Sequence, residues 1–245
     1  MIILALDSTA VTASVALCRD ETVLAEYLLN NGNTHSENLL PMVEHVLSLS
    51  GITMDGVDLL AVTAGPGSFT GVRIGAATVK GLGFGRNLPC IGVSTLEVLA
   101  QNVSPFGGLC VPVMNARREQ VYTALFRAEN GETVRLSPDA PLSLSELRVL
   151  IEEHRRPGET LRFCGDGYGM TMDAVGAELG ALSVPERLRY QSAYAAAQVA
   201  RAKYDAGERT TDAELVPTYL RPSQAERTKL EKDIRAAGTQ PQTDK

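Results

Sequence analysis

MIILALDSTAVTASVALCRDETVLAEYLLN, residues 1–30, holds three apolar, strand-like runs in succession: MIILALD, TASVALC and TVLAEYLLN. Asp20 and Glu21 stand where a tight turn joins the second run to the third. Connections this short join antiparallel strands, because a parallel crossover needs a dozen or more residues. The stretch therefore reads as an antiparallel meander, not as the βαβ opening of a dinucleotide-binding fold. Asp7, Ser8 and Thr9 occupy the first turn. An acidic residue there could hold Mg²⁺ beside a phosphate. The same three side chains could instead satisfy the turn's own backbone, and the spacing alone favours that plainer reading.

The pattern changes period after the meander. In THSENLLPMVEHVLSLSG, Thr34 and Glu37 have capping-box spacing. Leu39, Leu40, Val43, Val46 and Leu47 fall on one helical face, while Met42 and Leu49 form a second apolar row. A second row implies that the helix touches something besides its own sheet. Pro41 predicts a kink or a start near it, and Gly51 a left-handed stop. VDLLAVTA (57–64) reads as a buried strand. TAGPGSFTGVRIG (63–75) turns it into a helix over about 70–85, LPCIGV (88–93) is a strand, and STLEVLAQNV (94–103) a helix.

The glycine-rich turn has two readings. Ser68 or Thr70 can cap the helix, its free N–H groups attract anions, and Arg73 lies one turn in. Yet the lysine of a phosphate-binding P-loop is missing. The helix also carries Gly71, Gly75, Gly81, Gly83 and Gly85 in or near it. Each interior glycine costs about 0.5–1 kcal/mol against alanine, so close packing must offset them. Ala77, Gly81 and Gly85 recur every fourth residue as a smooth row.

The order β-β-β-α-β-α-β-α up to residue 104 is followed by a second, similar series. GLCVPVMNA and QVYTALFRA are strands, ETVRLSPDAPL a weaker one, and LSELRVLIEEHR a helix from Ser143 or Ser145. LRFCGDGYG is a strand entering a glycine-rich turn, and SAYAAAQVARAKYDAG a helix closed by Gly207. The expected domains are 1–104 and 105–227, with a polar, frayed tail at 228–245.

Composition excludes several classes. The chain has 245 residues, 44% of them hydrophobic, enough for one large or two small cores. A net charge of -6 disfavours a protein that grips nucleic acid by itself. Cys18, Cys90, Cys110 and Cys164 sit in or beside apolar runs without CxxC spacing, as expected of reduced, buried thiols. No run reaches a membrane-spanning length and no basic leader precedes an apolar stretch, so a cytoplasmic protein is expected. His35, His45 and His154 do not form a metal-binding spacing, and no nucleophile elbow occurs.

The blocks LALDSTAVTASVAL, THSENLLP, AGPGSFTGVRIG, IGVSTLEVLA, MNARREQVY and VPTYLRPSQAE together resemble the bacterial TsaB (YeaZ) family. The resemblance implies an α/β architecture, the two-domain fold of actin, heat-shock chaperones and sugar kinases. That fold has βββαβα units and a mixed central sheet in each domain. It also implies a subunit that binds a TsaD-type paralogue and a TsaE-type ATPase. The complex transfers a threonylcarbamoyl group to the adenosine beside the anticodon in tRNAs reading ANN codons. Alone, such a chain forms a homodimer, is inactive, and meets tRNA only through the complex; no cofactor of the chain itself is expected, and ATP or ADP could bind at the level of the complex. Where the catalytic paralogue carries two metal-binding histidines, this sequence has Thr95 and Leu99. Glu97 remains, with no metal to serve, so no catalytic residue and no metal ligand is expected. The degenerate nucleotide motifs are Asp7, Ser8 and Thr9 with Gly165 and Gly167. The family pairs through helices matching 34–50 and 70–85, which makes Leu39, Met42, His45, Val46, Leu49, Arg73, Ala77, Gly81 and Phe84 the expected interface. Two other readings are a metal-dependent, glycoprotease-like peptidase and a stand-alone nucleotide-dependent enzyme.

Overall fold

The expected meander forms in the computed structural model, which describes residues 1–32 and 34–221. Strands β1 (Ile2–Asp7), β2 (Ala13–Arg19) and β3 (Thr22–Leu29) pair antiparallel in sequence. β4 (Leu59–Gly65) and β5 (Cys90–Ser94) add in parallel, giving the order β3-β2-β1-β4-β5. β1, β2 and β4 are almost wholly buried, as continuous apolar runs require when both faces of a sheet are covered.

Helices α1 (His35–Ser50) and α2 (Phe69–Gly83) cover one face of this sheet. α1 continues through Pro41 without a break and ends at Gly51, whose φ of 64° supplies the left-handed stop. Thr34 occupies the cap position, but its side chain makes no capping bond, so the expected capping box is not formed there. The box is complete instead at Ser143 and Glu146, which start α4 (Leu144–His154).

The second sheet has six strands: β6 (Gly108–Asn115), β7 (Gln120–Thr123), β8 (Phe126–Glu129), β9 (Glu132–Arg135), β10 (Ala140–Ser143) and β11 (Leu161–Cys164). β7 and β8 pair with β6 in one unbroken register, Met114 with Tyr122 and Cys110 with Phe126. The run QVYTALFRA is thus one antiparallel strand interrupted at Ala124 and Leu125, where the Leu125 N–H donates to Ser137 Oγ. β11 pairs with β6 in parallel, as β4 does with β1.

α3 (Thr95–Val103) and α6 (Ala193–Asp205) lie between the sheets. α6, expected in the second domain, packs its alanine face on Ile3, Ala5, Ala16, Ala61 and Ile91 of the first sheet. Small side chains permit that close approach. The following segment stays with the first sheet: the Cys90 N–H donates to the Thr210 carbonyl, and the Thr218 N–H to the Ala64 carbonyl at 2.7 Å. α4 and the short α5 (Tyr168–Thr171) close the far side of the second sheet. We propose residue 104 as the boundary between the strands of the two units. The expected tail, 228–245, lies outside the described residues. Among the described residues, no helix is long and apolar enough to cross a membrane.

Candidate functional site

Asp7 ends β1 wholly buried. Its carboxylate accepts from the Thr9 N–H at 3.2 Å, from Thr9 Oγ1 at 2.9 Å and from Thr63 Oγ1. Burial pushes this carboxyl above its ordinary 3.8, and the threonine hydrogen bonds oppose the shift. Ser8 Oγ donates to the Gly71 carbonyl at 2.9 Å. The three turn residues are all buried and hydrogen-bonded within the turn or to β4 and α2.

The glycines of the following loop have a specific cause. A Cβ on Gly71 would strike the Ser8 carbonyl, one on Gly67 the Thr9 carbonyl, and one on Gly65 the Thr218 carbonyl. On Gly75 it would lie 2.7 Å from Ser8 Oγ, and on Gly83 3.1 Å from Cys90 Sγ. These glycines clear space for the chain's own β1–β2 turn, β5 and C-terminal segment. Of the five glycines in or near α2, Gly81 and Gly85 have nothing within 4 Å and lie open. Ser68 caps α2 by accepting from the Gly71 N–H.

Gly165 and Gly167 are likewise committed. Their N–H groups donate to the Arg189 and Val113 carbonyls at 2.6 and 3.0 Å. A Cβ on Gly165 would meet the Val113 carbonyl, and Gly165 has φ 105°. Asp166 between them accepts from the Asn115 N–H, and burial raises its pKa. All five residues thus make hydrogen bonds within the chain. Only Thr9 among them borders the cleft between the sheets, a cavity of about 540 Å³ lined also by Ser68, Phe69, Arg117, Tyr219 and Arg221.

The positions matching the paralogue's metal ligands lie in the core. Thr95 and Leu99 are fully buried, Leu99 among Leu96, Cys110 and Cys164. Glu97 instead faces Arg135 at 3.6 Å. Among the described residues, no three His, Cys, Asp or Glu side chains group to hold a metal. The four cysteines are free and buried, as expected.

The expected interface residues divide. Leu39, Met42 and Val46 are buried in the core beneath α1, on the face seated on the sheet. His45, Leu49, Arg73, Ala77, Gly81 and Phe84 are exposed. Leu49 is 74% and Phe84 81% exposed, the most open of the large hydrophobic side chains described. Leu40, which periodicity had assigned to the buried face, is 47% exposed and joins them. The stack of Arg73 on Phe69 and Tyr219 could not be foreseen, because 146 residues separate Arg73 from Tyr219.

The family model for TsaD, the tRNA N6-adenosine threonylcarbamoyltransferase, matches residues 22–161. The tRNA threonylcarbamoyladenosine biosynthesis protein TsaB of Bacillus subtilis is 38% identical over 64% of this chain and 69% of its own length. That of Escherichia coli is 43% identical over 54% of this chain and 58% of its own. The chain belongs to the TsaB (YeaZ) family. The solved YeaZ of Pseudomonas aeruginosa is 27% identical, with a TM-score of 0.72 over 89% of this chain and 99% of that one. Component A of the Acidaminococcus fermentans (R)-2-hydroxyglutaryl-CoA dehydratase shares the fold at 12% identity, TM-score 0.52, over 84% of this chain and 99% of that one. The chain shares its two-sheet α/β fold with the solved YeaZ proteins and with this dehydratase component.

Proposed function

We propose that this chain is a non-catalytic scaffold in cytoplasmic tRNA threonylcarbamoyladenosine biosynthesis. It would hold a TsaD-type transferase through the outer faces of α1 and α2. One observation carries the reading: Ala77 and Gly81 on α2 and Phe84 at its C-terminal cap expose apolar and small residues along one helix face, beside the neighbouring α1. An apolar patch of this kind on a folded chain marks a partner face. The buried Thr95 and Leu99, where a metal pair would stand, support a subunit without its own chemistry. Pairing of the two helices with two from a partner would bury about 1,200–2,000 Å² in total. The same face serves a homodimer when the paralogue is absent. A TsaE-type ATPase completes the assembly, with ATP or ADP bound at the level of the complex.

Co-expression with the TsaD-type partner and size-exclusion chromatography test this. Ala77→Glu should abolish co-elution and leave the melting temperature unchanged. Met42→Glu should instead unfold the chain, because its side chain lies in the core. Unchanged co-elution of the Ala77 variant would remove this face from the interface. The chain alone should modify no tRNA; product formed without the partner would refute the scaffold role.

A further inference from the structure

Two stretches remain unused by the scaffold reading, MNARREQVY (114–122) and PTYLR (217–221), and they converge at the mouth of the cleft. Between β6 and β7, Arg117, Arg118 and Glu119 have φ of 65°, 53° and 58°. Left-handed backbone costs a non-glycine residue about 1–2 kcal/mol, and three occur in a row. Strain of this kind collects at functional sites. The turn carries Arg117 and Arg118 outward, both exposed. Among the described residues, neither guanidinium has an ion-pair or hydrogen-bond partner.

Arg221 reaches the same turn from the C-terminal segment. Its guanidinium donates to Gln120 Oε1 and, at 3.5 Å, to the Ala116 carbonyl. It lies 5.8 Å from the centre of the Tyr122 ring. On the opposite lip, the Arg73 guanidinium sits 3.8 Å over the Phe69 ring and its Nε donates to the Tyr219 hydroxyl at 2.9 Å. The Tyr219 ring is 41% exposed beside it. The chain as a whole carries a net charge of -6, yet four arginines gather here. Glu119 is the exposed carboxylate of that turn, while Asp166 is bound inward to the Asn115 N–H.

We propose that this rim is a docking surface for RNA. Arg117 and Arg118 would meet phosphates, Arg73 and Arg221 would flank them, and the Tyr219 ring would stack on an unpaired base. The planar guanidinium fork matches phosphate oxygens, and unpaired bases of loops stack on exposed aromatic rings. An acidic peptide would satisfy the charges but would make no use of the rings. The proposal rests on the reading that the chain serves a tRNA-modifying assembly, and it adds that this subunit touches the RNA itself.

Fluorescence anisotropy with a short RNA hairpin tests it, on the full chain alone at low salt and on its purified complex with the TsaD-type partner. The Arg117→Glu/Arg118→Glu variant should bind about tenfold or more weakly in both, with a salt dependence shallower by about 1–2 in log–log slope. Its co-elution with the partner should be unchanged. Arg117→Gly/Arg118→Gly should keep or raise the melting temperature, since glycine adopts this backbone freely, and should lose the same RNA affinity. Wild-type affinity and slope in either variant would overturn the proposal, as would a wild-type chain that binds no hairpin in either setting. Equal displacement of the hairpin by polyglutamate, or by inorganic phosphate at matched ionic strength, would also overturn it. A wild-type chain that fails to co-elute with the partner would sink the scaffold reading instead, and the measurement on the chain alone would still decide this one.

Discussion

Asp7 is a carboxyl held inside the fold. Its position after a buried strand is where a metal-binding carboxylate would stand, but Thr9 and Thr63 occupy both its oxygens. Because burial raises its pKa, the folded chain keeps this proton at pH values where the unfolded chain has lost it. The stability this contributes is therefore present below 3.8 and is lost as pH rises through the folded value. Chemical denaturation of the wild type and Asp7→Asn across acidic to neutral pH checks this. The gap between them should shift in favour of the asparagine variant as pH rises; a gap independent of pH would show that Asp7 is not held in this way. At Thr95 and Leu99 the resemblance implies positions where the paralogue carries imidazoles. That the positions had been absorbed into a core was not legible in the sequence, because burial depends on β6 and β11 folding over them.

At the scale of the element, α2 separates two uses of glycine that a linear reading merges. Gly71 faces the Ser8 carbonyl, so Gly71→Ala must displace backbone and should cost about 1–3 kcal/mol, the range for overpacking. Gly81 faces open space within the same helix, so Gly81→Ala should gain about 0.5–1 kcal/mol. Urea denaturation of the two variants gives both values, and equal effects would refute the division. Periodicity placed α1 and α2 to within a residue or two, because the 3.6-residue repeat and the flanking cap residues are local signals. It could not rank the two apolar rows of α1. How the helix rolls on β2 and β3 buries Leu39, Val43 and Val46 of the first row together with Met42 of the second, and leaves Leu40 and Leu49 outside.

Across the whole molecule, the C-terminal segment ties distant parts together. Leu215 is 4% exposed within the core beneath the first sheet, Thr218 bonds Ala64, and Arg221 bonds Gln120 of the second sheet. Leu215→Ala should cost about 2–5 kcal/mol, as buried leucine truncations do, and thermal or urea melting checks it. A loss within a few tenths of a kcal/mol would mean that the segment is a passive appendage. The antiparallel meander, the sequential order of strands and helices and most helix starts were written in adjacent residues, where alternation, caps and spacing operate over a few positions. The return of α6 to the first sheet, the purpose of the loop glycines and the convergence of four arginines at one cleft were decided only in three dimensions. Each depends on contacts between residues tens to more than a hundred positions apart, and no local pattern records which distant carbonyl or ring a side chain will meet.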